Sequence, residues 1–213
     1  MTAPQWEGEV TDARERREVL SSSREFTGRV WHVRRDVVDL GSGEPVTREV
    51  VEHTGAVGVL ALDRQERVLL LRQYRHAVGA LLWEAPAGLL DVQGEDPFEA
   101  AKRELWEESG YRARQWNVLV DFYNSPGGST EAFRCYLARD LELAAEDDRH
   151  EGEDEERDMP QAWVPLDEAV SLVLGGHLHN PTSVSGILAA AAARARGWDT
   201  LRPADAPWEW RRT

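Results

Sequence analysis

The chain has 213 residues, 41% of them hydrophobic, which is enough to bury one substantial core. Its formal net charge is −14, so it lacks the basic face a nucleic-acid binder needs, and duplex binding is not expected. It carries one cysteine, which rules out an internal disulfide and suits a reducing, cytoplasmic compartment. No stretch resembles a secretory signal or runs long enough to span a bilayer, so no membrane partner is expected.

Residues 1–24 are polar and charged and read as a loosely ordered arm. Phe26 to Leu40 and Val46 to Val51 flank a Gly-rich turn and read as a β-hairpin, a small N-terminal antiparallel subdomain over 25–53. Residues 54–196 form the main domain. Ala56 to Leu62 and Val68 to Leu71 are short apolar runs of buried-strand type. Asp96 to Ser109 predicts a helix, with Asp96 as N-cap, Pro97 at the first position and Glu99 completing a capping box. Gly110 stops it. Asn117 to Tyr123 and Ala132 to Ala138 predict strands, the second holding Cys135 as a packed core residue. Residues 146–158 are strongly acidic. Ala162 to Val164 is strand-like, and Leu166 to Leu174 and Val184 to Ala193 predict helices. Residues 197–213 are a Trp-rich tail. The order of elements indicates an α+β chain or an α/β/α sandwich.

The chemistry concentrates between Gly88 and Tyr111. Glu104, Glu107 and Glu108 stand at i, i+3 and i+4 and share one helix face beside the apolar stripe of Phe98, Ala101 and Leu105. Clustered oxygen ligands suit a hard cation, Mg²⁺ or alternatively Mn²⁺. Zn²⁺ fits less well, because no Cys or His accompanies them. Taken alone, the carboxylates fit a solvated charged face better than a metal site.

The whole string decides between these readings. Arg103, Glu104, Leu105, Trp106, Glu107, Glu108, Ser109, Gly110 and Tyr111, with Gly88 and Glu95 before them, resemble the Nudix box. Six residues separate Gly88 from Glu95 where the motif has five. The resemblance implies a Nudix α/β/α sandwich around a mixed sheet. It implies Glu104 and Glu108 as principal metal ligands, Glu107 assisting, and the carbonyl of Ala87 as a further ligand. Gly88, Glu95, Arg103 and Gly110 take structural roles. Pro126, sixteen residues beyond Gly110, is similar in placement to the marker proline of the ADP-ribose pyrophosphatase group. That group hydrolyses the pyrophosphate of ADP-ribose to AMP and ribose 5-phosphate, with a Glu from a later loop completing the site. Glu156 fits that role first, with Glu155 and Glu153 behind it, although solvation alone also explains such a run.

By the same resemblance Arg48 and Glu49 lie near the adenine, Arg75 near the phosphates, and Ser129 and Glu131 near the terminal ribose. The group typically forms homodimers that exchange the N-terminal sheet. Two other readings stay open: hydrolysis of another nucleotide sugar or dinucleoside polyphosphate, and a non-catalytic ADP-ribose sensor. The complete box and a tail too short for a winged helix speak against the sensor.

Overall fold

The computed structural model describes residues 5–41, 43–145 and 159–211, and these divide into two compact units, one ending at Val51 and one starting at Glu52. The acidic run at 146–158, with Glu153, Glu155 and Glu156, lies outside the described residues.

The first unit is a three-stranded sheet of β1 (Glu18–Thr27), β2 (His32–Asp39) and β3 (Val46–Glu52), in that order. Strands β1 and β2 run antiparallel from Glu18 opposite Asp39 to Thr27 opposite His32. This corrects two expectations. The polar arm does not extend to residue 24, because β1 begins at Glu18, and Phe26 to Leu40 is the end of one strand, a turn and a second strand. The polar run Ser21–Ser23 hid β1. A strand exposed along its whole length needs no alternation of apolar residues. Its backbone pairs with β2, and Ser22 Oγ adds a 2.7 Å hydrogen bond to the buried Asp36. Arg34 donates to the other oxygen of Asp36 at 2.8 Å. The Ser22 and Arg34 bonds hold this carboxyl below the usual aspartate range.

The second unit is the α/β/α sandwich. Its five-stranded mixed sheet has the order β11 (Arg202–Pro203), β8 (Tyr111–Tyr123), β9 (Ala132–Leu143), β4 (Ala56–Ala61), β7 (Ala87–Leu89). Only the β4–β9 pair is parallel among those registered. A second, antiparallel sheet has the order β10 (Gln161–Pro165), β5 (Arg67–Arg75), β6 (Ala80–Glu84).

Strand β4 is buried along its length, which explains its unbroken apolar sequence. Val57, Val59 and Ala61 pack with Ala101 and Leu105 of helix α1 (Pro97–Ser109) on one face. Ala56, Leu60 and Leu62 pack on the other face with Leu166 of α2 (Leu166–Leu174) and Ile187 of α3 (Pro181–Arg194). Cys135 belongs to this second cluster, fully buried, and burial pushes its thiol up to about 12. At Gly58 a Cβ would come within 2.5 Å of Thr182 Cγ2, so glycine there lets α3 lie close against the sheet.

Helix α3 starts three residues before the predicted position. Asn180 caps it by accepting from the Ser183 amide at 3.1 Å, with Pro181 at the first turn. The capping box of α1 is half formed. Asp96 accepts from the Phe98 amide at 2.8 Å, but Glu99 turns to Lys102 at 2.7 Å.

The Trp-rich tail is built into this unit. Arg134, 2% exposed, grips Asp121 at 2.8 and 2.9 Å and donates to the carbonyls of Ala206 and Pro207. The Trp208 ring stacks 4.8 Å from the same guanidinium. Among the described residues, no helix is long and apolar enough to cross a membrane.

Candidate active site

The predicted site residues of the box converge where α1 meets β7. The helix begins at the Asp96 cap and ends at Gly110, whose positive φ of 74° lets its amide reach the Trp106 carbonyl at 2.8 Å. These ends fix which face points where. Leu105 is fully buried in the core, Glu104 is 9% exposed at the seam, and Glu107 and Glu108 are half-buried beside it.

Arg103 organises the carboxylates. Its Nε and one terminal nitrogen donate to the two oxygens of Glu95 at 2.9 and 3.0 Å. Its other terminal nitrogen donates to Glu104 at 2.7 Å and Glu107 at 2.8 Å. The bidentate Glu95 contact is the strongest influence holding Arg103 protonated, and Arg103 in turn holds Glu95 below the usual glutamate range. Glu95 sits on the loop with the extra residue. That loop absorbs the insertion in a turn, with Gly94 at φ 82° and the Glu95 amide donating to the Val92 carbonyl at 3.2 Å.

Strand β7 supplies the opposite wall. The Ala87 amide donates to Glu108 Oε2 at 2.9 Å. At Gly88 a Cβ would lie 2.0 Å from Glu104 Oε1, so the absent side chain is the space the Glu104 carboxylate occupies. The backbone there is not left-handed, so the need for glycine is one of room alone.

The donor set is made of oxygens, from Glu104, Glu107, Glu108 and the Ala87 backbone, which fits a hard divalent cation. Among the described residues, no three acidic, His or Cys side chains converge as they stand into a metal-holding group. The reason is visible: Glu104 and Glu107 lean on Arg103, and Glu108 on the Ala87 amide. One guanidinium facing this many carboxylates leaves excess negative charge for a cation to neutralise.

The remaining predicted residues are spread more widely. Arg75, at the end of β5, is held by the buried Glu84 of β6 through bonds of 2.6 to 3.1 Å. Arg48 and Glu49 lie on β3 of the first unit, where Arg48 donates to the Thr47 carbonyl and Glu49 accepts from Arg35 at 3.0 Å.

Ser129 and Glu131 follow a tight turn in which the Ser125 carbonyl accepts from Gly128 and Ser129. Three residues that sequence reasoning gave no role support Glu131 and its loop. Asn124 donates to Glu131 Oε1 at 2.8 Å. Thr130 Oγ1 accepts from the His53 amide at 2.9 Å. His53 Nδ1 accepts from the Gly55 amide at 3.0 Å, which leaves its proton on Nε2, 3.8 Å from Glu131 Oε1. Burial lowers the His53 pKa, with Glu131 pulling the other way. In sequence only Asn124, beside Ser125 and Pro126, and Thr130, between Ser129 and Glu131, hint at this group.

Two outcomes test this geometry. Gly88→Ala should cost about 1–3 kcal/mol, because Glu104 has to move out of a packed seam; urea denaturation measures it, and an unchanged midpoint would contradict the close approach. Glu95 is held below its unfolded value near 4.3, so its contribution is complete above that value and disappears as pH falls through the folded pKa. Glu95→Gln should therefore flatten the acid limb of the stability–pH curve below about pH 5, and an acid limb as steep as wild type would refute the pairing.

Comparisons with known proteins show the family and the fold. Residues 52–183 match the NUDIX domain. The chain is 45% identical over 191 residues to an ADP-ribose pyrophosphatase of Mycobacterium tuberculosis, covering 90% of each chain. It is 35% identical over 154 residues to an ADP-ribose pyrophosphatase of Bacillus subtilis, covering 72% of this chain and 81% of that one. A crystal structure of an ADP compounds hydrolase superposes with a TM-score of 0.73 at 21% identity, covering 88% of this chain and 99% of the other, and shows the same fold. The box geometry and a domain match across most of the second unit lead to one assignment: this chain belongs to the Nudix family.

Proposed function

We propose that this chain hydrolyses the pyrophosphate of ADP-ribose, with Mg²⁺, to AMP and ribose 5-phosphate. The observation that carries the reading is the complete carboxylate face of α1 set against Gly88 and Ala87. It is supported by similarity at 45% identity, over nine-tenths of the chain, to a protein named for that activity.

A divalent cation bound at this face would neutralise charge on the pyrophosphate and lower the pKa of a water. Glu104, Glu108 and the Ala87 carbonyl would hold it, with Glu107 assisting. Arg103 fixes the carboxylates' orientation and, through Glu95, ties the preceding loop to the helix. Glu131, held by Asn124, and Ser129 accept hydroxyls of the terminal ribose. Arg75, pre-oriented by Glu84, is suited to phosphate oxygens by its planar fork. Arg48 and Glu49 serve the adenine. A glutamate of the acidic run, Glu156 first and Glu155 next, acts as base by position.

The chain works as a homodimer through its N-terminal sheet. Strand β1 is exposed throughout and leaves Val19, Leu20 and Phe26 at the surface, with Val30 and Trp31 in the turn after it. That much exposed apolar area on one small sheet calls for a covering surface, and a second copy supplies one.

Product analysis with ADP-ribose and Mg²⁺ tests the activity. AMP and ribose 5-phosphate should appear, vanish with EDTA, and fall in Glu108→Gln by more than the roughly 10–100-fold that loss of an outer metal partner costs. Turnover of GDP-mannose or diadenosine tetraphosphate in place of ADP-ribose would keep the chemistry and overturn the substrate. Light scattering tests assembly: the full chain should have twice the monomer mass and Phe26→Lys should shift it toward monomer, whereas a monomeric wild type refutes the interface.

A further inference from the structure

The solvent side of α1, turned away from the carboxylate face, borders a second recess. Glu99, Lys102, Arg103 and Trp106 recur along the helix at i, i+3, i+4 and i+7 and form one wall. Arg112 and Trp116 of β8 form the other, around a cleft of about 370 Å³.

Its lining inverts the character of the protein. Acidic residues exceed basic ones by 14 in the chain, 39 against 25, yet the lining itself carries three cations and one carboxylate, with the charge of Arg103 already taken up by Glu95, Glu104 and Glu107 behind it. The aromatic walls are held in place. Trp116 meets Phe98 edge-on at 5.5 Å and donates its Nε1 proton to the Ala113 carbonyl at 3.0 Å, so its polar atom is satisfied within the protein. The Arg112 guanidinium lies 5.6 Å from the Trp106 ring centre. Lys102 Nζ sits 4.0 Å over the Phe98 ring and 2.7 Å from Glu99.

We propose that this cleft binds a nucleoside monophosphate, at a site separate from the carboxylate face. Indole faces accept a planar base by stacking, whatever its hydrogen-bonding edge. Arg112 and Lys102 take the phosphate, Lys102 exchanging its exposed Glu99 partner for it, since a surface ion pair is weak. Volume sets the ligand's size: about 370 Å³ lies at the small end of ligand pockets, which holds one nucleotide and not two. The site also reaches the catalytic helix. Arg103 lines the cleft, and its donors are the ones that grip Glu95, Glu104 and Glu107. A nucleotide bound there therefore touches the guanidinium that orders the carboxylates. The inference rests on the cleft and stands whatever the substrate of the main site.

Equilibrium dialysis of the full chain with radiolabelled AMP in EDTA tests it. One saturable site per chain is expected. Arg112→Glu and Lys102→Glu, both surface charge reversals, should each weaken AMP by at least ~10-fold, about 1.4 kcal/mol, with an unchanged circular dichroism spectrum. Ribose 5-phosphate and adenosine should each compete at least ~10-fold more weakly than AMP, since each offers half of the recognised group. Arg112→Glu should leave the KM for ADP-ribose unchanged. Absence of saturable binding, binding that survives both charge reversals, or ribose 5-phosphate competing as well as AMP would each overturn the proposal, the last by reducing the cleft to a simple anion site.

Discussion

Three glutamates within two turns of one helix repel one another, and the site depends on how that repulsion is contained. Arg103 contains it. A guanidinium presents five donors in a rigid fork and does not lose its charge in a protein. Here the fork is divided between two tasks, one edge closing on Glu95 and one nitrogen bridging Glu104 and Glu107. A lysine would bring the charge without the fork and could not span the same contacts. Because Glu95 lies in the loop before the helix, the bond that quiets the carboxylates also ties the loop to α1. The extra residue between Gly88 and Glu95 is taken up in the turn at Gly94, so the pairing survives it.

The opposite side of the site is set by backbone. Strand β7 pairs with β4 from Ala56 opposite Leu89 to Gly58 opposite Ala87, and this register brings Gly88 against Glu104 and the Ala87 amide against Glu108. Alternate β4 residues fill the core on its two faces, so the position of β7 and that of α1 have a common origin in one fully buried strand. The carboxylates stand at the edge of that core, where partial burial strengthens charge–charge interaction relative to water.

Beyond the box, support for the candidate ribose side comes from residues far apart in the chain. His53, Asn124 and Thr130 brace Glu131 and its turn. The tail is fastened to the same end of β8 and β9, where Arg134 binds Asp121 and two tail carbonyls, and Tyr123 donates to the Trp210 carbonyl at 2.7 Å. The cationic aromatic cleft on the other side of α1 shares Arg103 with the carboxylates, so one helix presents two chemically opposite surfaces.

The sequence by itself determined what depends on near neighbours. Asp96, Pro97 and Gly110 delimit α1, because caps and a left-handed stop act within a few residues. The i, i+3, i+4 spacing puts Glu104, Glu107 and Glu108 on one face, because helical geometry alone does so. The unbroken apolar run of β4 announces a strand buried on both sides. Tertiary structure decided what depends on partners distant in the chain. Strand β1 exists because β2 pairs with it, and its exposed residues carry no periodic signal. Arg75 meets Glu84 only through the β5–β6 register, and the tail is held by Arg134 of β9 and Tyr123 of β8, both distant from it in the chain. Even within α1, Glu99 chose Lys102 over the cap, since two local partners of similar strength compete and the surrounding structure settles between them.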